Sequence, residues 1–130
     1  MTSVMTAPAQ DQRLVESWRG LLDQHARITG ALERVLQEQH GIGVSEFEVL
    51  ERLVEARDDD NRMQDLAGSV HLSQSALSRL IGRLEAEGLV SRTICPQDRR
   101  GIFACVTAEG RARYEAAKPA QRQVLADALG

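Results

Sequence analysis

Aromatic side chains are scarce. Two Phe, one Trp and one Tyr in 130 residues leave little surface on which unpaired bases could stack, which argues against a reader of single-stranded nucleic acid. The two cysteines, Cys95 and Cys105, show neither a C-x-x-C pair nor a four-ligand spacing, so neither a disulfide scaffold nor a structural zinc is expected. No apolar run reaches the ~18 residues of a membrane span, and the opening MTSVMTAPAQDQ lacks the basic start and apolar stretch of an export signal. The expectation is a cytoplasmic protein with no membrane partner. Enzyme signatures are missing as well: there is no G-x-S-x-G, no H-E-x-x-H and no phosphate-binding glycine loop. His25, His40 and His71 fall in separate segments, and the consecutive Asp58, Asp59 and Asp60 cannot all converge on one ion, so that run reads as solvated linker. No catalytic set, metal or cofactor is expected. Lysine is nearly absent too, since Lys118 stands alone among 16 basic side chains and the other 15 are Arg. Arginine favours planar, bidentate contacts to phosphate or guanine over diffuse charge, although a GC-rich genome produces the same bias.

What is present is one domain's worth of chain, 42% hydrophobic and 27% charged. The net charge of -3 conceals a segregation along the sequence. Residues 1–61 hold six Arg against twelve acids, whereas residues 62–113 hold eight Arg against five acids. An anionic partner would therefore meet the second half of the chain.

The periodicity reads as helices with a hairpin. Residues 1–10 form a loose arm. From Asp11 to about Gln39, Leu14, Trp18, Leu21, His25, Ile28, Leu32 and Val35 recur at four- and three-residue steps, a helix so long that part of its stripe should pack outside its own subunit. Gly41 and Gly43 close it. Ser45 with Glu48 has capping-box spacing and opens a helix to about Ala56 that buries Phe47, Leu50, Leu53 and Val54. Asn61 caps a short helix with Met63, Leu66, Ala67 and Val70 inward. Ser73 caps another, from Gln74 to about Glu87, with Leu77, Leu80, Ile81 and Leu84 at i, i+3, i+4 and i+7. Its opposite face, Gln74, Ser75, Ser78, Arg79, Gly82 and Arg83, holds no acid. Two helices, a tight turn and such a face make a helix-turn-helix.

B-DNA's major groove, about 12 Å wide, accepts one helix whose front carries neither acids nor bulky hydrophobes. Gln74, Ser75 and Ser78 can reach base edges or phosphates. Arg79 can grip guanine with both arms, and Arg83 is placed for backbone phosphate. Beyond Gly88, Leu89–Cys95 and Ile102–Val106 read as a hairpin whose tip carries Asp98, Arg99 and Arg100, suited to a minor groove. A free carboxylate there would be repelled by phosphate, so Asp98 is assigned to fixing the tip through Arg100 while Arg99 meets DNA. Thr107 caps a helix to about Lys118, with Tyr114 and Ala117 inward. Pro119 should interrupt it, leaving Gln121–Gly130 as a short apolar-edged segment.

The motifs Leu72-Ser73-Gln74-Ser75-Ala76-Leu77-Ser78-Arg79-Leu80, Leu84-Glu85-Ala86-Glu87-Gly88-Leu89-Val90, Asp98-Arg99-Arg100 and Thr107-Ala108-Glu109-Gly110, in this order and spacing, resemble the MarR family of winged helix-turn-helix regulators. The resemblance implies a mainly α fold with a small β wing. It places a single domain over residues 11–130, with dimerisation helices at 11–39 and 108–130 and the DNA-binding part at 45–107. It further implies a homodimer on a pseudo-palindromic double-stranded operator, with the two helices in successive major grooves and the wings in flanking minor grooves. The function implied is that of a ligand-responsive repressor. Its effector, a small aromatic or anionic molecule, would sit among Trp18, Leu22, His25, Phe47, Leu50 and Leu66. The family normally ends in a longer last helix, so the dimer is expected to lean on the first helix unless the chain is trimmed. Some relatives sense oxidants through a cysteine near the N-terminus. Here Cys95 and Cys105 are expected on the wing strands instead, where oxidation could displace the wing, although the favoured reading is that a small side chain fills a strand position. The competing function is a winged module that binds protein and not DNA. Arg79→Ala and Arg99→Ala separate the two, because a DNA reader loses affinity on both.

Overall fold

A computed structural model describes residues 7–55, 63–94 and 102–130. Along the chain run α1 (Pro8–His40), α2 (Val44–Glu55), α3 (Met63–Ser69), α4 (Gln74–Ala86), β1 (Val90–Ile94), β2 (Ile102–Val106) and α5 (Ala108–Leu129). The architecture is mainly helical with one antiparallel ribbon, as expected. Asn61 and Asp58–Asp60 lie outside the described residues.

Helix α1 starts at Pro8, three residues earlier than the apolar stripe suggested, because proline suits the first helical turn, where its missing N–H has no partner to lose. Its 33 residues span about 50 Å, but only Leu32 and Leu36 are buried. The core therefore touches only the C-terminal third of α1. Gly41, at φ 66°, ends the helix in the left-handed conformation that a side chain disfavours. The Arg113 guanidinium of α5 donates to the His40 carbonyl at 3.2 Å, satisfying an acceptor left open at that end.

The start of α2 differs from expectation. Ser45 does not cap it; it is the second helical residue, and Gly43 takes the cap position. Glu46 returns its carboxylate to the Gly43 N–H, which is one half of a capping box set two residues earlier than the Ser45–Glu48 pattern. The next free N–H, on Val44, donates to Glu33 Oε2 of α1 at 3.2 Å. A carboxylate brought in by tertiary packing does the work assigned to a local hydroxyl.

Helices α3 and α4 meet as anticipated. His71, at φ 59°, is the left-handed residue of the turn between them, with its N–H on the Gly68 carbonyl and the Leu72 N–H on the Ala67 carbonyl. This pair of bonds is the Schellman pattern, built around a non-glycine residue. The same pattern recurs after α4: Gly88, at φ 77°, donates to the Glu85 carbonyl and Leu89 to the Leu84 carbonyl. Leu84 and Leu89 are both buried, so the turn delivers the chain from helix into ribbon with an apolar contact underneath.

In the ribbon Val90 pairs with Val106, Arg92 with Ala104 and Ile94 with Ile102. Thr107 then joins ribbon to α5: its hydroxyl donates to the Gly88 carbonyl at 2.7 Å and accepts from the Gly110 N–H at 3.0 Å. Gly110 lies so close to the turn that a Cβ there would stand 2.0 Å from the Leu89 carbonyl oxygen.

Helix α5 is continuous to Leu129, so the expected interruption at Pro119 does not occur. Proline costs the Glu115 carbonyl its partner, but Glu115 and Pro119 face solvent, where water can reach that carbonyl. On the opposite side Tyr114, Ala117 and Gln121 are buried and hold the helix on its neighbours across the proline. One core links all the helices: Leu36 and Ile42 meet Phe47, Leu50 and Leu53 of α2, Leu66 of α3, the four apolar residues of α4, and Tyr114 of α5. The Phe47 and Tyr114 rings lie 5.3 Å apart at 38°.

Candidate nucleic-acid interface

The site is built outward from the buried side of α4. Leu77, Leu80, Ile81 and Leu84 are all buried, and this fixes the rotation of the helix about its axis. Ser73 Oγ accepts from the Ala76 N–H at 3.1 Å, which fixes where the helix begins. Gln74, Ser75, Arg79 and Arg83 then stand exposed, and the first turn carries no acid. Beside them an open groove of about 710 Å³ runs along α4, lined by Leu72, Ala76, Arg79, Arg83 and Ser45 of α2 among others.

Arg83 stands in a mixed field. Burial first, then the Glu87 charge, pushes the Glu46 carboxyl above its usual range, while the Gly43 N–H and Arg83 pull it down. Part of the positive potential of Arg83 is thus spent within the protein.

Ser78 differs from its companions. It is half-buried, and its carbonyl accepts a hydrogen bond from Arg92 Nη2 of β1, which also lies 3.4 Å from Ser78 Oγ. Arg92 Nε stands 3.1 Å from Glu85 Oε1, and the Arg92 backbone N–H donates to Glu85 Oε2 at 3.3 Å. The sequence reasoning missed Arg92. A signal existed, because strand alternation puts Arg92 in phase with the buried Val90, and an arginine at an inward strand position needs an acceptor on the element beneath.

The wing-tip residues Asp98, Arg99 and Arg100 lie outside the described residues, as does Cys95. Cys105 is half-buried on β2 opposite Ser91. Among the described residues no group of His, Cys, Asp and Glu could hold a metal ion, and no helix is long and apolar enough to cross a membrane.

The six residues of the expected effector cleft are not brought together within one chain. Phe47, Leu50 and Leu66 are core residues, whereas Trp18 and Leu22 are 59% and 47% exposed and His25 is also exposed. The reason is the length of α1, which carries its N-terminal half beyond the core. A cleft of about 530 Å³ lies instead between α1 and α5. Ile28, Ala31, Val35, Val124 and Ala128 form its apolar part, with Arg27, Arg34 and Asp127 around them. None of the six residues lines it.

Comparison with known proteins places this geometry. The sequence model of the MarR family matches residues 42–102, from the end of α1 to the start of β2. AbsC of Streptomyces coelicolor, a MarR family transcriptional regulator, is 33% identical with a TM-score of 0.82, over 98% of this chain and 82% of that one. Sco3205 of the same organism, another MarR family regulator, solved in complex with DNA, is 29% identical with a TM-score of 0.86, over 99% of this chain and 79% of that one. An uncharacterised HTH-type transcriptional regulator of Bacillus subtilis, YdgJ, is 33% identical over 68% of this chain. The match spans about half of that relative, 53% of its length.

Proposed function

Because the chain belongs to the MarR family of winged helix-turn-helix transcriptional regulators, we propose that it is a sequence-specific reader of double-stranded DNA that acts as a homodimer. The observation that carries the reading is the exposed, acid-free row Gln74, Ser75, Arg79 and Arg83 on a helix whose rotation and start are both fixed from behind. Arg79 reads guanine in the major groove, Gln74 and Ser75 contact base edges or phosphate at the front of the helix, and Arg83 steadies the backbone. Ser78 supports this face from its edge. From the ribbon tip Arg99 meets the flanking minor groove, while Asp98 fixes the tip through Arg100.

A homodimer supplies what one chain lacks. Leu14, Trp18, Leu21 and Leu22 form an apolar stripe on α1 with nothing from their own chain over it, and Leu129 at the end of α5 is likewise exposed. A second copy covering these surfaces must hold two α4 helices about 34 Å apart, one turn of duplex, for both to enter successive major grooves. The acidic first half offsets the basic second half, so affinity for random duplex is modest at about 0.15 M salt and specificity rests on base contacts. The regulatory output is repression, relieved by a small aromatic or anionic effector. The effector site draws on Trp18, Leu22 and His25, which are exposed on α1, and is completed by the second chain.

The test is selection of bound sites from random duplex DNA with the purified protein. A two-fold symmetric site that Arg79→Ala alters at one position per half, and to which Arg99→Ala weakens binding without changing preference, supports the reading. Failure to enrich any site, with both variants indistinguishable from the parent, refutes it and favours a protein-binding module.

A further inference from the structure

We propose that Arg92 is a positioning residue for duplex binding, a clamp that locks the β1–β2 ribbon onto α4 so that helix and wing meet DNA as one rigid body. This rests on the duplex-binding reading above. Its basis is the number and placement of the contacts of one side chain. The guanidinium donates from Nη2 to the Ser78 carbonyl, the Glu85 carboxylate pairs with its charge across 3.1 Å from Oε1 to Nε without a hydrogen bond there, and Glu85 Oε2 accepts from the Arg92 backbone N–H at 3.3 Å. Ser78 and Glu85 are two helical turns apart on one face of α4, so Arg92 bridges about 10 Å of that helix. Gly82 lies between them, and a Cβ there would stand 3.8 Å from Arg92 Nη2, in ordinary contact with the guanidinium.

The clamp matters because of leverage. A two-stranded ribbon has little stiffness of its own orientation and takes its direction from what it rests on. Val90 and its partner Val106 anchor its base, and Arg92, opposite the buried Ala104, holds it two residues further out. Beyond Arg92 the described ribbon runs two residues further, to the Ile94–Ile102 pair, about 7 Å of strand. From Val90 to Ile94 is about 13 Å, so a pivot of about 10° at the base moves the Ile94–Ile102 end about 2 Å, more than a hydrogen bond tolerates. The clamp also assigns Ser78. Its carbonyl and hydroxyl face Arg92, so Ser78 serves the duplex by holding the wing, and base reading falls to Gln74, Ser75 and Arg79.

Two measurements on the full-length protein test this with Glu85→Gln, Arg92→Gln and Arg92→Lys, each first checked for helical content and thermal midpoint. In the first, amide hydrogen exchange of the free protein follows β1 and β2. All three variants should speed exchange across the ribbon while the buried side of α4 keeps its protection. Unchanged ribbon exchange overturns the clamp, and this result does not depend on whether the protein binds DNA. The second measurement is affinity, salt dependence and hydroxyl-radical footprint on the selected operator. Glu85→Gln removes a negative charge, so simple electrostatics predicts tighter binding. The clamp predicts about tenfold weaker binding with loss of minor-groove protection and retention of the major-groove footprint. Arg92→Lys does not restore it, and the Glu85→Gln, Arg92→Gln double variant is no weaker than either single one. If Glu85→Gln binds as well as the parent or better, while Arg92→Gln lowers the salt slope by about one, Arg92 is a phosphate contact and the proposal is wrong. Absence of any selected site defeats the duplex reading itself, and the exchange experiment then decides the clamp alone.

Discussion

The polar node between α2 and α5 offers the sharpest stability prediction. The Tyr114 hydroxyl, on a residue 1% exposed, donates to Glu51 Oε2 at 2.8 Å, and Arg122 Nη2 pairs with the same oxygen at 2.5 Å. The Glu51 side chain is 13% exposed and that of Arg122 is 42% exposed, so the tyrosine bond is the shielded one and the ion pair is largely screened by water. Tyr114→Phe removes a hydrogen bond to a charged acceptor but leaves that acceptor its arginine, a loss of about 1.5 kcal/mol. Glu51→Ala strands the hydroxyl among apolar neighbours, which costs about 1–3 kcal/mol, and adds less than about 1 kcal/mol for the exposed pair. In the double variant no buried hydroxyl remains unsatisfied, so its cost should fall below that of Glu51→Ala alone. The resulting coupling energy is at least about 1.5 kcal/mol. The assay is urea unfolding of the four proteins at one protomer concentration, because association shifts the midpoint. Additivity within about 0.5 kcal/mol would refute the reasoning, because two groups sharing a buried bond cannot act independently.

The same tyrosine gives an alkaline signature. Burial, then the bond to Glu51, pushes its phenol up to about 12 from an ordinary value of 10.0. Its folded-state value exceeds the unfolded one, so its contribution is complete below pH ~10 and is lost as pH rises through ~12; Tyr114→Phe should flatten that part of the stability profile. Glu48 is raised by burial and then by Glu51, so its contribution is present at low pH and lost as its folded-state carboxyl ionises; Glu48→Gln should raise the urea midpoint at neutral pH and leave it unchanged in acid. Gly110→Ala drives a Cβ to 2.0 Å from the Leu89 carbonyl oxygen and 2.9 Å from Val106 Cγ2, and should cost about 3 kcal/mol or more in thermal unfolding because backbone must move. Ser73→Ala removes the cap on α4 and should cost about 1 kcal/mol, whereas Ser73→Asp should restore most of it.

Much of the candidate interface was legible because it is written in local rules. Ser73, the i, i+3, i+4 apolar row of α4, Gly88 and Thr107 each act within a few residues of themselves, and the structure puts each in its expected role. The errors have a common origin. Ser45 resembled a cap because its neighbourhood fits one, yet Glu33, from another helix, satisfies the first free N–H of α2. Pro119 resembled a helix end because its cost is local, yet Tyr114, Ala117 and Gln121 hold the helix together across it. Arg92 drew no role from its sequence neighbours, because its partners Glu85 and Ser78 are set beneath it only by the fold.

The stripe on α1 shows the division most clearly. Periodicity alone determined that residues from Leu14 to Val35 share one side of a helix, and it determined equally that α4 has a buried row and a polar row. Such spacing describes a side but carries no information about what lies opposite it. Only the tertiary structure decided that the core ends near Leu32, leaving Trp18 and Leu22 exposed while Phe47 and Leu50 are buried elsewhere. The physical reason is range. Backbone geometry and capping couple residues a few positions apart and so can be read along a line, whereas burial and charge pairing couple residues such as Glu51 and Arg122, 71 positions apart, that become neighbours only once the chain has folded.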